Sequence, residues 1–158
     1  MNKTNHKSND NRPSISQEWK DKVLSVIPDT HIGHFVSSGK KSVHIRTADD
    51  AAHMTLEWVN GERDILYIKD LNVSHDHRKK GLGKQLLVIA EKIAHTTGRP
   101  ILGIFGRLVK SQTDWLEKHG FLDSEILFAV DFLDGCIYDN DVDENFSDEI
   151  FYMKHLQA

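Results

Sequence analysis

The chain has 158 residues, with 24 Asp plus Glu against 20 Lys plus Arg and a single cysteine, Cys136. This length suits one domain with a sizeable core, the mild acidic excess argues against a protein that coats nucleic acid, and no apolar run is long enough to span a bilayer. One cysteine allows no intrachain disulfide, which fits a cytoplasmic protein.

In chain order, residues 1–13 are polar and almost without apolar groups, so they predict a disordered tail, with 14–158 forming one domain. Ser14-Ile15-Ser16-Gln17 has the form of a capping box, and Ile15, Trp19, Val23, Val26 and Ile27 then recur at helical spacing until Pro28. Strand-like runs follow at roughly 32–37, 42–48, 53–59 and 64–73, with Asn60-Gly61 as a turn signal between the last two. Residues 80–97 read as an amphipathic helix ending near Gly98, before Pro100. A buried strand at 101–105, a short helix at 112–119 capped by Gly120, and two strands at 127–132 and 149–156 complete the expected order.

The most informative stretch joins the strand at 64–73 to the helix that follows. Leu71, Asn72 and Val73 end the strand; Arg78, Lys79, Lys80, Gly81, Leu82, Gly83 and Lys84 then turn directly into the helix. Such a turn aims several unpaired backbone N–H groups at one point, at the positive end of a helix dipole. Glycine at 81 and 83 permits close backbone approach, and Arg78, Lys79, Lys80 and Lys84 add positive charge, so an anionic ligand such as a pyrophosphate is expected there. A P-loop would need a glycine where Arg78 stands and Ser or Thr where Gln85 stands. A dinucleotide fingerprint would need a small residue at Leu86. Neither motif fits.

What fits is R-x-x-G-x-G after an L-x-V strand end: Leu71, Val73, Arg78, Gly81 and Gly83, with apolar Leu86 and Leu87 in the helix. This resembles the acyl-CoA-binding motif of the GCN5-related N-acetyltransferases, the GNAT superfamily. The run Trp115-Leu116-Glu117-Lys118-His119-Gly120-Phe121 is similar to the late helix of that family and its Gly-Phe ending. From about residue 42 onward the resemblance implies an α/β (α+β) fold with a central mixed sheet flanked by helices. That sheet would splay between the strands at 64–73 and 101–105, with acetyl-CoA as co-substrate lying in the gap. Residues 71–73 would then offer backbone groups to the pantetheine and the thioester carbonyl, and the turn from Arg78 to Lys84 would hold the pyrophosphate. The implied activity is direct transfer of an acetyl group to a primary amine, with a homodimer as a common assembly among such proteins. Only one helix precedes the first strands, where the family has a strand and two helices, so the acceptor side would be more open or built partly by a partner chain.

The catalytic side chains depart from the family pattern. A base is often a Glu two or four residues before the leucine of L-x-V, and this chain has Lys69 and Tyr67 there. The acid is often a tyrosine on the late helix, at the position of Leu116. Strand alternation puts residues 65, 67, 69, 71 and 73 on one face and Asp70 on the other. Tyr67 is then the first catalytic candidate and Asp70 the next, with Glu57 as a base acting through water and Tyr138 or Tyr152 as acids.

Between residues 134 and 149 lie Asp134, Asp139, Asp141, Asp143, Glu144, Asp148 and Glu149, with no Lys or Arg. Such a loop would draw a cationic amine, whether a small molecule or a protein lysine or N-terminus, and it could equally be a solvated loop. It lacks the glycine and glutamate spacing of a calcium loop, and His75 and His77 have no companion ligands, so no metal is expected. Two other readings stay open: an acyl-CoA-binding or protein-interaction module without catalysis, and an interaction protein that uses the acidic loop as a nucleic-acid mimic.

Overall fold

The computed structural model describes residues 16–36, 41–106, 108–124 and 150–157. The expected tail, the strand at 127–132, the acidic loop, Cys136 and Tyr138 lie outside these described residues.

Helix α1 (Gln17–Ser25) begins at Ser16, whose hydroxyl accepts from Trp19 N–H at 3.1 Å. The cap thus falls on Ser16, the second serine of the proposed capping box. The helix is followed by β1 (His31–Phe35), β2 (Lys41–Thr47), β3 (Ala52–Trp58) and β4 (Ile65–Val73), each antiparallel to the one before. Thr47 Oγ1 closes the β2–β3 turn by accepting from the N–H groups of Ala51 and Ala52. Gly61, at φ +86°, and the Glu62 carboxylate, which accepts from Asp64 and Ile65 N–H, shape the β3–β4 turn. Helix α2 (Leu82–Thr96), β5 (Ile101–Gly106), α3 (Lys110–Lys118), β6 (Leu122–Ser124) and β7 (Ile150–His155) complete the described chain. The short β6 strand has no counterpart among the expected elements, because three residues are too few to show a period.

These strands form one mixed sheet in the order β1-β2-β3-β4-β5-β7-β6, with β4 and β5 parallel. Apolar residues alternate along β2 and β3: Val43, Ile45, Ala52, Met54 and Leu56 are fully buried, and Trp58 nearly so. Together with Leu66, Ile68, Leu102 and Ile104 they face α2, whose Leu86, Leu87, Ala90, Ile93 and Ala94 fill the core. Helix α1 packs on the same face through Trp19, edge-on to Trp58 at 4.8 Å between ring centroids. Helix α3 joins it there too, since Tyr152 of β7 donates to Glu117 while Lys154 pairs with Glu91 of α2 at 2.7 Å. All three described helices therefore lie against one face of the sheet, and no described helix packs on the other.

Candidate active site

The parallel ladder between β4 and β5 runs only from the pair Ile65/Ile101 to the pair Ile68/Ile104. Beyond Ile68, β4 continues for five more residues beside β3 alone, while β5 goes on with β7. The two central parallel strands therefore part at Ile68, leaving one edge of Lys69, Asp70, Leu71, Asn72 and Val73 without a neighbouring strand among the described residues. An unpaired strand edge offers main-chain donors and acceptors to an extended ligand.

A bulge sits at the parting point. On β3 and β4, His53 faces Asn72 and Thr55 faces Lys69, so β4 holds one residue more than its partner between these pairs. Asp70 takes up the extra residue in a left-handed conformation, φ +56°. The bulge overturns the expected alternation. Ala52 and Leu56 share the helix face, so their partners Val73 and Ile68 share it too, whereas Tyr67 and Lys69 lie on the opposite face with Glu57 and Thr55. Leu71 and Val73 thus belong with the core and not with Tyr67, and Asn72 faces the Tyr67 side. One inserted residue flips every side chain after it.

The turn after β4 is built mainly from backbone. Residues His75–His77 form one turn of 3-10 helix, with Ser74 Oγ 2.7 Å from His77 Nδ1. Arg78 Nε donates to Val73 O at 3.1 Å, which ties the turn to the strand end. Lys79 (φ +67°) and Gly81 (φ +82°) are left-handed, and Gly81 is the N-cap of α2. Its cap has no side-chain hydrogen bond and no acid in the first turn; Gln85 N–H, bonded to Gly81 O at 3.0 Å, follows Leu82, Gly83 and Lys84, whose N–H groups precede the helical ladder. The starts of α1 and α3 differ, since Ser16 serves the first and the Gln112 side chain accepts from Val109 N–H at the second. No described residue lies within 4 Å of where a Gly81 Cβ would stand, and Lys79, Lys80 and Lys84 are exposed around that open end. The geometry suits an anionic group such as a pyrophosphate.

Gly83 has a second reason to be glycine. A Cβ there would come within 3.0 Å of Trp115 Cζ2, and Val73 Cγ2 would be 3.7 Å away, so this position lets α2, α3 and the end of β4 meet.

The candidate catalytic groups divide between the two faces. Tyr67 is buried at 6 % exposure beside its partner Glu57, while Asp70 is exposed on the bulge. Glu57, also 6 % exposed, pairs with Lys69 Nζ at 3.1 Å. The lysine at one usual base position thus holds the carboxylate of the next strand. Leu116 is buried in the core, and Tyr152, on the helix face, donates to Glu117 Oε2 at 3.0 Å. Burial first, then the hydrogen bond to Glu117, raises the Tyr152 pKa above the usual tyrosine range, so its proton stays on at neutral pH. His75 is exposed and His77 half-buried, and no cluster of metal-ligating side chains occurs among the described residues. His44, Arg46, His53 and Thr55 are absent from the candidates that the sequence suggests, although β2 and β3 alternate polar with apolar residues and so place these four on the Tyr67 side.

No protein-family model and no curated protein matches this sequence. Solved structures do match its fold. An acetyltransferase from Streptococcus agalactiae is 15% identical with a TM-score of 0.58, over 90% of this chain and 80% of that one. A GNAT family acetyltransferase from Elizabethkingia anophelis, solved with acetyl-CoA bound, is 15% identical with a TM-score of 0.53, over 82% of this chain and 100% of that one. N-acetylglutamate synthase from Neisseria gonorrhoeae, solved with coenzyme A and N-acetyl-glutamate, is 15% identical with a TM-score of 0.54; the match takes in 92% of this chain but spans only 29% of that one. The chain has the GNAT-superfamily fold, and its described strands form one mixed sheet of seven with the described helices packed on it.

Proposed function

We propose that this chain is an acetyl-CoA-dependent N-acetyltransferase, moving an acetyl group to a primary amine by direct transfer. The observation that carries the reading is the parting of β4 from β5 at Ile68, set beside an α2 N-terminus that no described side chain caps. A pantetheine chain would lie along the free edge of residues 71–73, with the thioester carbonyl accepting from a backbone N–H there. The pyrophosphate would meet the N–H groups of Leu82, Gly83 and Lys84, and Lys79, Lys80 and Lys84 would attract the 3′-phosphate. Arg78 would act first by holding the turn against Val73 O. Tyr67 and Asp70 remain the side chains proposed for the chemistry, and a cationic small molecule or a protein lysine or N-terminus is the proposed acceptor. Acetyl-CoA and coenzyme A in the Elizabethkingia and Neisseria structures support the choice of donor. A cytoplasmic location is proposed from the lone cysteine, and no described helix is long and apolar enough to cross a membrane.

A second reading, an acyl-CoA-binding module without catalysis, is favoured by two particulars. Lys69 is committed to Glu57, and Leu116 lies in the core where the family has its acid. Both readings require the donor to bind. Acetyl-CoA at a hundredfold above its Kd should stabilise the fold by about 2.7 kcal/mol, a rise of several degrees in Tm. Gly81→Val, which adds its side chain in open space at the helix start, should abolish that rise relative to its own baseline. No rise with the unaltered chain would remove both readings; a rise without turnover on any amine would leave the second.

A further inference from the structure

The sheet face away from the helices carries a row of imidazoles that leads to the free end of β4. His34, His44 and His53 come from β1, β2 and β3, with ring centroids 5.3 Å apart for the first pair and 5.4 Å for the second. The next residue across the sheet from His53 is Asn72, beyond the bulge, on the stretch of β4 that β5 has left. The row therefore ends at the edge where the thioester carbonyl is placed by the reading above, on the same face as Tyr67 and Lys69.

The rings differ in what they touch. His44 Nδ1 lies 3.1 Å from Thr55 Oγ1. His53 Nδ1 is buried and, like His31 Nε2 on the helix face, has no hydrogen-bond partner among the described residues, although His53 as a whole is half-exposed. A polar atom withheld from water without a partner costs free energy, and the exposed part of the residue is what a ligand at this edge would meet.

We infer that His53 is the general base of the transfer, taking the proton of the acceptor's ammonium group at the end of β4. The inference rests on the transferase reading and supplies the base that is missing where Lys69 stands. The ammonium gives one proton to the His53 ring. The freed nitrogen lone pair then forms the C–N bond at the acetyl carbonyl carbon, and the C–S bond breaks with its electron pair on the coenzyme A sulfur. A second proton leaves the nitrogen and neutralises that sulfur, and His53 afterwards yields its proton to water.

Charged and titratable groups surround His53 on the neighbouring strands. Arg46 of β2 is the cross-strand partner of His53, Lys69 stands diagonally across on β4, and His44 and His34 continue the row. The acids on the neighbouring stretches are Glu57, held by Lys69, Asp70 on the bulge, and Asp50, which acts on His44. Burial, then the rings of His34 and His53, hold the His44 pKa below the ordinary histidine range, so the middle of the row is uncharged at neutral pH.

The experiment compares the unaltered chain with His53→Gln, using a panel of primary amines at saturating acetyl-CoA. The variant should lose roughly a hundredfold or more in kcat while KM for acetyl-CoA holds. The pH profile of the unaltered chain should show an acid limb that the variant lacks, because the variant has no base there to protonate. Coenzyme A alone, added to protein labelled with ¹⁵N-histidine, should shift the ring resonances of His53 and leave those of His31, buried on the helix face, in place. A folded variant with the original rate and pH profile would overturn the inference, and so would His53 resonances that ignore coenzyme A. His53→Asn replaces the first variant if thermal melting shows it unfolded. Failure of the wider reading looks different, because the unaltered chain would then transfer nothing to any amine.

Discussion

Tyr67 illustrates how much a single position can carry. It sits one residue before the strands part, buried beside Glu57 and across from Gly103 of β5. If its hydroxyl serves the transfer, Tyr67→Phe should cut turnover at least about tenfold without altering acetyl-CoA affinity, and an unchanged rate would dismiss it. Gly103 makes a purely structural demand at the same level. A Cβ there would stand 2.9 Å from Ile65 Cγ2 and 3.1 Å from the Phe151 ring, both from buried side chains. Gly103→Ala should therefore destabilise the fold by about 1–3 kcal/mol in denaturant unfolding, since neither neighbour has room to yield.

Among the elements, β4 decides the site. Its first half is a two-sided buried strand locked to β3 and β5, and its second half is a free edge turned by the bulge at Asp70. A left-handed residue without glycine is strained, so Asp70→Gly should keep or slightly raise stability, while Asp70→Val should cost about 1–2 kcal/mol. If the Asp70 carboxylate takes part in the chemistry, Asp70→Gly should lose activity despite its intact fold; melting curves and rates on the same preparations separate the two. Helix α2 shows the converse economy: its start is left open, and its end is secured by Thr97, which accepts from Trp58 Nε1.

At the level of the whole molecule, the histidines link stability to pH. The pKa values of His31 and His44 are lowered from 6.5, His31 by burial and His44 by burial followed by the neighbouring rings. A lowered pKa means that the fold prefers the neutral ring and that unfolding takes up protons. This contribution is complete above the unfolded value of 6.5 and is lost progressively as pH falls below it. Melting temperature should therefore decline from about pH 7.5 to about pH 5, and His44→Gln should flatten part of that slope; a slope unchanged in the variant would assign it elsewhere.

Local chemistry makes several features legible in the chain order alone. Ser16 falls near a helix start, Gly61 at a turn, Leu86 and Leu87 on a buried helix face, and Gly81 at the start of α2, because caps, periodicity and left-handed glycines act over a few residues. The boundaries of β2, β3, β4 and α2 lie within two residues of those expected. What the chain order does not supply arises between distant segments. The bulge at Asp70 depends on register with β3, and it reverses the side on which Leu71, Asn72 and Val73 are expected. Trp115 explains Gly83 only once α3 is packed on α2, and Lys69 loses its apparent freedom only when Glu57 stands diagonally across from it on β3. His34, His44 and His53, scattered along the sequence, become one row because antiparallel pairing sets them side by side. Alternation and capping are properties of neighbours in the chain, whereas register, bulges and facing side chains are settled when the whole sheet closes, and these last are what define the site.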